Sequence, residues 1–225
     1  MKKKKLYSPY CFYMDMSGSP WKEDLYIGCI LMNEAYIGQF INEFYEEFPN
    51  LKGFNKKACN MDEEKLKKVI EFMDSKRIRM VCLKFHKSKL AKYFKDIEER
   101  KNRFNIHKKA EIYNFTAKLL SILYYYSIKP YAYKNWHYGV EMCIESHLRI
   151  LDIMTGISNL SHRDGYLLHP RINFRRIQHM LKFADFVAGA GRKVDEGILK
   201  TFKYLDYRLP EIETYDSDNL FGIVD

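Results

Sequence analysis

Two aspartates stand where a carboxylate could do chemistry. Asp15 closes the apolar run Tyr10-Cys11-Phe12-Tyr13-Met14, which predicts a strand, and the Ser17-Gly18-Ser19-Pro20 that follows predicts a turn. A carboxylate at the point where a buried strand leaves its sheet is rigidly held and can face a cleft. The competing reading is a turn aspartate that bonds its own backbone near Ser17 and Gly18. Asp185 lies in Met180-Leu181-Lys182-Phe183-Ala184-Asp185-Phe186-Val187-Ala188-Gly189-Ala190-Gly191. There Ile177, Leu181, Ala184, Val187 and Ala188 form a helical apolar stripe, and Asp185 borders it. A glycine inside a helix costs about 1 kcal/mol, so Gly189 and Gly191 predict a close approach to the helix backbone. On such a small-residue face a carboxylate is costly unless it is paired or binds a cation. The alternative is a surface carboxylate with Lys182 or Arg192 as partner.

The elements that must carry these residues follow from periodicity. Leu25 to Met32 is almost wholly apolar, as a strand covered on both faces would be. Glu34 to Phe48 predicts a helix, with Ile37, Phe40, Ile41, Phe44, Tyr45 and Phe48 at helical spacing and Pro49 as its stop. Asn50-Leu51-Lys52-Gly53 predicts a short extended or turn segment. Asp62 to Ser75 predicts a second helix, capped by Asn60 or Asp62, with Leu66, Val69, Ile70 and Met73 inward. Ile78 to Phe85 predicts a third strand. Further on, the pattern predicts a helix over 110–127, a strand over 129–134, a helix over 138–153, a polar loop over 158–170 and a final helix over 171–196. Strands first, then alternating helix and strand, predict an α/β fold around a mixed sheet. Residues 1–210 are expected to form one domain, with 211–225 as an acidic tail.

The net charge is +9 over 225 residues. The tail holds Glu211, Glu213, Asp216, Asp218 and Asp225 and no basic residue, so the preceding 210 residues carry 38 basic and 24 acidic side chains. A basic body attracts polyanions, of which nucleic acid is the commonest. Plain solubility charge is the other reading. Residues 86–109 concentrate the lysines, Lys89 and Lys92 among them, interleaved with Tyr93, Phe94 and Phe104. Such a mixture suits phosphate neutralisation plus base stacking. It equally suits a lysine-rich helix whose aromatics pack inward.

The remaining signals exclude more than they suggest. Five scattered cysteines, Cys11, Cys29, Cys59, Cys82 and Cys143, form no Cys-x-x-Cys pair and predict free thiols in a reducing, cytoplasmic setting. No apolar run is long enough to span a bilayer, and Leu6-Tyr7-Ser8-Pro9 after the terminal lysines is not a signal-peptide core. His162-Arg163-Asp164 spells a kinase triplet, but no Gly-rich loop or Asp-Phe-Gly accompanies it. The histidines show no metal-ligand spacing. There is no Walker loop, dinucleotide fingerprint or nucleophile elbow.

Taken together, Asp15-Met16-Ser17-Gly18, the strand Leu25 to Met32, Asn50-Leu51-Lys52 and Phe183-Ala184-Asp185-Phe186-Val187-Ala188-Gly189 resemble, in order and separation, the blocks of the domain of unknown function 3800 family. That resemblance covers nearly the whole chain. It implies a ribonuclease H-like fold with helical insertions and a two-metal phosphodiester chemistry on DNA or RNA, in which one ion activates a water and the other stabilises the leaving oxygen. By resemblance, Asp15 and Asp185 hold Mg²⁺ or Mn²⁺, and Lys52 sits near the scissile phosphate or balances the acids. Ser17, Lys52, Asn135, Lys89 and Lys92 are the residues expected to meet the substrate.

Some positions depart from the family pattern. Met16 and Asn50 stand where the family has Glu, Ser19 stands where it has an acid, and the strand that usually supplies another aspartate offers Lys134 and Asn135. Glu141, read on the helix after His137, is the candidate replacement ligand. The line His137, Glu141, Glu145 is otherwise an ordinary solvent face. With two matched acids, metal affinity should be weaker than in a full cluster. A second function class follows, a non-catalytic nucleic-acid-binding or protein-interaction module on a degenerate nuclease fold. A hydrolase of small phosphoesters would use the same metals but requires a closed pocket.

Overall fold

The computed structural model describes residues 7–18, 23–52, 57–76, 78–85, 121, 124–125, 128–129, 137–142, 150–165, 167–170, 178–195 and 206–208. The first half of the chain builds an antiparallel unit from strands β1 (Tyr7–Ser17), β2 (Leu25–Asn33) and β3 (Arg79–Phe85). β1 pairs with β2 and β2 with β3, and the strands β4 (His137–Met142) and β5 (Leu167–Pro170) continue the sheet in parallel beyond β1. A short strand β6 (Asp206–Arg208) lies parallel to β3 at the other edge, giving the six-stranded order β5-β4-β1-β2-β3-β6. The register of β1 on β4 shifts between Tyr7 and Cys11, where Pro9 cannot donate to the ladder.

The two faces of the sheet follow strictly from the two-residue strand period. Cys11 and Tyr13 of β1, Tyr26, Ile30 and Met32 of β2, and Met80 and Cys82 of β3 pack into one core, against helices α1 (Ile37–Glu47), α2 (Glu63–Ser75) and α4 (Gln178–Asp195). The intervening residues Phe12, Met14, Leu25, Ile27, Cys29, Val81, Leu83 and Phe85 pack into a second core. It contains Tyr124, Tyr125 and Ile128, and Ile153 and Ile157 of α3 (Ile150–Arg163). The chain is thus a mixed α/β sheet with helices on both faces, and among the described residues no helix is long and apolar enough to cross a membrane.

Local chemistry explains most element ends. The Asp62 carboxylate accepts from the Lys65 amide at 2.7 Å, and Glu63 and Glu64 follow in the positive first turn of α2. The Asn33 side chain caps a 3₁₀ turn, Glu34–Tyr36, so α1 proper begins three residues later than its periodicity suggests. Phe48 closes α1, and Pro49 opens a further 3₁₀ turn, Pro49–Leu51, where a turn or extended segment is expected. Phe44 is fully buried, with ring centroids of Phe183 at 4.6 Å, Phe48 at 5.0 Å and Phe72 at 5.8 Å. Removing it would cost about 3–5 kcal/mol, so the contact between α1, α2 and α4 depends heavily on this one ring.

The second half departs from expectation. Residues 138–142, expected as helix, form β4, so Glu141 stands on a strand opposite Tyr13. The expected loop at 158–170 is largely the end of α3 and the strand β5, and Lys129, expected to open a strand, is helical. β1 continues past the expected turn point to Ser17, and the final helix is described from Gln178. The lysine-rich stretch with Lys89 and Lys92, most of the apolar stretch 110–127, Asn135, Cys143, Glu145 and the acidic tail lie outside the described residues.

Candidate functional site

Asp15 stands inside β1, two residues before its end, and pairs across the ladder with Gly28 of β2. Both have the parity of the face that α4 covers. A Cβ at Gly28 would lie 2.2 Å from the Ala184 carbonyl oxygen and 2.4 Å from the Ala188 amide nitrogen, so α4 crosses the sheet with its backbone on this glycine. Directly opposed residues have Cβ atoms about 5 Å apart. Asp15 therefore leaves the sheet beside the turn of α4 that contains Asp185. The missing Cβ of Gly28 makes that approach possible, as the missing Cβ atoms of Gly189 and Gly191 do against Ala58 and Cys82.

The two carboxylates meet this turn from different directions. Asp15 Oδ1 accepts from the Met16 amide at 2.7 Å, a local bond of the kind expected for the plain reading, although one residue earlier than Ser17. Asp185 Oδ2 accepts from the amide of Ala58 at 2.8 Å, at the start of the 3₁₀ turn Ala58–Asn60. The Asp185 carboxyl is pushed above its ordinary pKa by burial, against the opposing pull of the Ala58 amide and the charges of Lys57 and Lys182. Arg192, offered by the sequence as a partner, is engaged with Glu23 at 2.8 Å. Lys182 donates to the Leu51 carbonyl and lies 5.7 Å from the Tyr45 ring centre.

The other expected site residues are more dispersed. Lys52 is exposed, just after Leu51, and lines a shallow groove with Ile41, Asn42, Tyr45 and Glu46. The cations acting on Asp185 are Lys57 and Lys182, which the sequence reading did not place there as a pair. Ser17 ends β1 opposite Tyr26. Glu141 lies on β4 in register with Tyr13, one strand from Asp15, so its strand and not a helix brings it to this part of the sheet. The His137, Glu141, Glu145 line of a helix does not form, because His137 and Glu141 belong to β4.

The chemistry of this donor set is that of oxygen ligands only, which suits a hard divalent cation such as Mg²⁺ or Mn²⁺. Among the described residues, no group of three or more His, Cys, Asp or Glu side chains could hold a metal ion. The described acids thus do not assemble the carboxylate cluster that a pair of ions needs.

Two structural features replace motifs that the sequence singled out. The Asp164 of His162-Arg163-Asp164 accepts from Tyr125 Oη at 2.6 Å, Lys129 Nζ at 2.8 Å and Arg163 Nε at 3.2 Å. It ties the end of α3 to the neighbouring helical residues. Cys11, Cys29 and Cys82 are buried free thiols, and burial pushes the Cys29 thiol far up, so it stays protonated and inert.

No protein-family model matches the chain, and no curated protein matches it.

Proposed function

We propose that this chain is a ribonuclease H-like domain that hydrolyses phosphodiester bonds of DNA or RNA with one divalent metal ion, similar to the domain of unknown function 3800 family. The observation that carries this reading is the seating of α4 on Gly28, opposite Asp15, which brings the turn bearing Asp185 to the exit of the central strand. The antiparallel β1–β2–β3 unit, continued in parallel by β4 and β5, supports the same architecture.

Asp15 and Asp185 would hold the ion, with Glu141 on the neighbouring strand as the third candidate. A bound Mg²⁺ or Mn²⁺ would supply Lewis acidity at a phosphoryl oxygen and lower the pKa of a water. The protein's own residues would do the rest. The Ala58 amide fixes the Asp185 carboxylate, and Lys57 and Lys182 favour its charged form against burial. Lys52 and Lys57 are exposed and would neutralise flanking phosphates.

The test is cleavage of labelled single-stranded DNA, RNA and hybrid duplex in Mg²⁺ or Mn²⁺, with Asp15→Asn and Asp185→Asn beside the wild type. Loss of activity in both folded variants supports the reading. A wild type that cuts none of these substrates sinks it.

A second reading is a nucleic-acid-binding module that has lost cleavage. The engagement of Asp185 by a backbone amide, with two lysine charges nearby, favours it, because those lysines oppose a cation at the same carboxylate. Salt-sensitive binding without cleavage would select this reading.

A further inference from the structure

Lys84 is the one charged side chain among the buried described residues, at 6% exposure. It lies near the end of β3, in register with Tyr26, which is in turn in register with Ser17 of β1. By parity it faces α4, two positions beyond Cys82, whose sulfur packs on Gly191. Its ammonium is 3.0 Å from Asp24 Oδ2 and 5.6 Å from the Tyr26 ring centre. A lysine that needed only its stem for packing would leave its head in water. Here the head is turned inward, onto the residue where the chain re-enters the sheet.

Asp24 is also where the β1–β2 hairpin closes on itself. Gly18 has φ of +95°, and a Cβ on it would lie 2.3 Å from the Asp24 carbonyl oxygen. The preceding residue, Glu23, is gripped from α4 by Arg192 at 2.8 Å. The return leg of the hairpin is therefore held by a base from β3 and a base from α4. Its backbone presses on Gly18, three residues after Asp15. Removing the charge while keeping the volume of the stem would leave the core filled and take away the hold that β3 has on the hairpin end.

We propose that Lys84 is a positioning residue: through Asp24 it fixes the hairpin end of β1, and with it the placement of Asp15 beside α4. This inference rests on the proposed function for its consequence at a metal, but not for its structural content.

The experiment uses the full chain and two readouts, amide hydrogen exchange by peptide and Mn²⁺ binding followed by electron paramagnetic resonance. In Lys84→Met, exchange over residues 13–18 is expected to quicken at least tenfold while α2 stays within twofold of wild type. Mn²⁺ affinity is expected to fall at least tenfold, and Lys84→Arg is expected to restore part of both. Should Lys84→Met not fold, Asp24→Asn tests the same pair from its more exposed side, with the same expected exchange pattern. Exchange over 13–18 within twofold of wild type overturns the inference, as does an equal acceleration in α2, which would mark Lys84 as a general stabiliser. A wild type that neither binds Mn²⁺ nor cleaves would overturn the metal reading alone, since the exchange pattern decides the role of Lys84 by itself.

Discussion

Gly28 stands directly opposite Asp15, and the space its missing side chain leaves is filled by the backbone of α4 between Ala184 and Ala188. A single absent Cβ thus lets a helix lie close on the sheet at the residue pair that the candidate chemistry needs. Gly28→Ala must push α4 outward, because the obstructing atoms are backbone and cannot rotate away. We expect a loss of about 2 kcal/mol or more in chemical denaturation. Gly38, on α1, is the internal control. Nothing lies within 4 Å of its Cβ position, so Gly38→Ala should raise stability by up to about 1 kcal/mol.

Asp185 predicts an unusual pH dependence. Its carboxyl is raised by burial, so the native state binds this proton more tightly than the unfolded chain, whose aspartate titrates near pH ~3.9. Its favourable contribution is complete below that unfolded value and is lost as pH rises through the raised native one. At neutral pH the charge is a cost. Asp185→Asn, which keeps an oxygen for the Ala58 amide, should be at least as stable as wild type at pH 7, and the difference should close towards pH ~4. Asp185→Ala strands that amide and should cost about 1–2 kcal/mol. Denaturant midpoints from pH 3.5 to 8 would check both.

Asp164 behaves in the opposite sense. Burial alone would raise its pKa, but Lys129, Tyr125 and Arg163 overcome it and hold the carboxyl at about 2. The stability it contributes is present above the unfolded pKa near ~3.9 and fades as pH falls towards the native value. Asp164→Asn should therefore cost about 2 kcal/mol at neutral pH, and the gap to wild type should close in acid. Urea unfolding of both proteins between pH 2 and 7 measures it. A gap that persists at pH 2 would mean that Asp164 acts through shape and not through charge.

Lys52 and Lys57 are exposed, and although the Lys57 charge also acts on Asp185, replacing either bears chiefly on partners. Lys52→Ala and Lys57→Ala should leave the melting temperature within about 2 °C of wild type, as surface substitutions do. Each should weaken binding to a labelled oligonucleotide and lower the slope of log affinity against log salt by about 1. Unchanged slopes would take both lysines out of the nucleic-acid surface.

The described elements between residues 7 and 85 were largely legible in the sequence because their signals are local and long. β2, α1, α2 and β3 lie within a few residues of the bounds that periodicity and capping predict, since Phe40, Phe44, Leu66 and Val69 repeat over several turns and Asp62 and Pro49 punctuate them. The small residues of α4 were legible for the same reason, and Gly189 and Gly191 do mark close approaches. His137-Tyr138-Gly139-Val140-Glu141-Met142 was not, because a six-residue mixed run fits helical and strand spacing equally well. Only its pairing with β1 and β5 makes it a strand. The polar run Ser158-Asn159-Leu160-Ser161 hid the end of α3 in the same way. Ser161 is fully buried and spends its hydroxyl on the Ser158 carbonyl, a local satisfaction that composition does not reveal.

The candidate site divides along the same line. Asp15 and Asp185 could be singled out from their neighbours in the chain, because an acid beside an apolar run or a glycine-rich helix face is costly wherever it lies. Lys84 carried a signal too, a lysine at a core-parity position of an apolar strand. What no spacing contains is the partner of each. Asp185 turns to Ala58, 127 residues away, Arg192 to Glu23, and Lys84 to Asp24. Those choices depend on how α4 crosses the sheet. Burial prices and periodicities are properties of short stretches and are written in the sequence, whereas the direction of a charged side chain is set by which elements meet, and only the tertiary structure decides that.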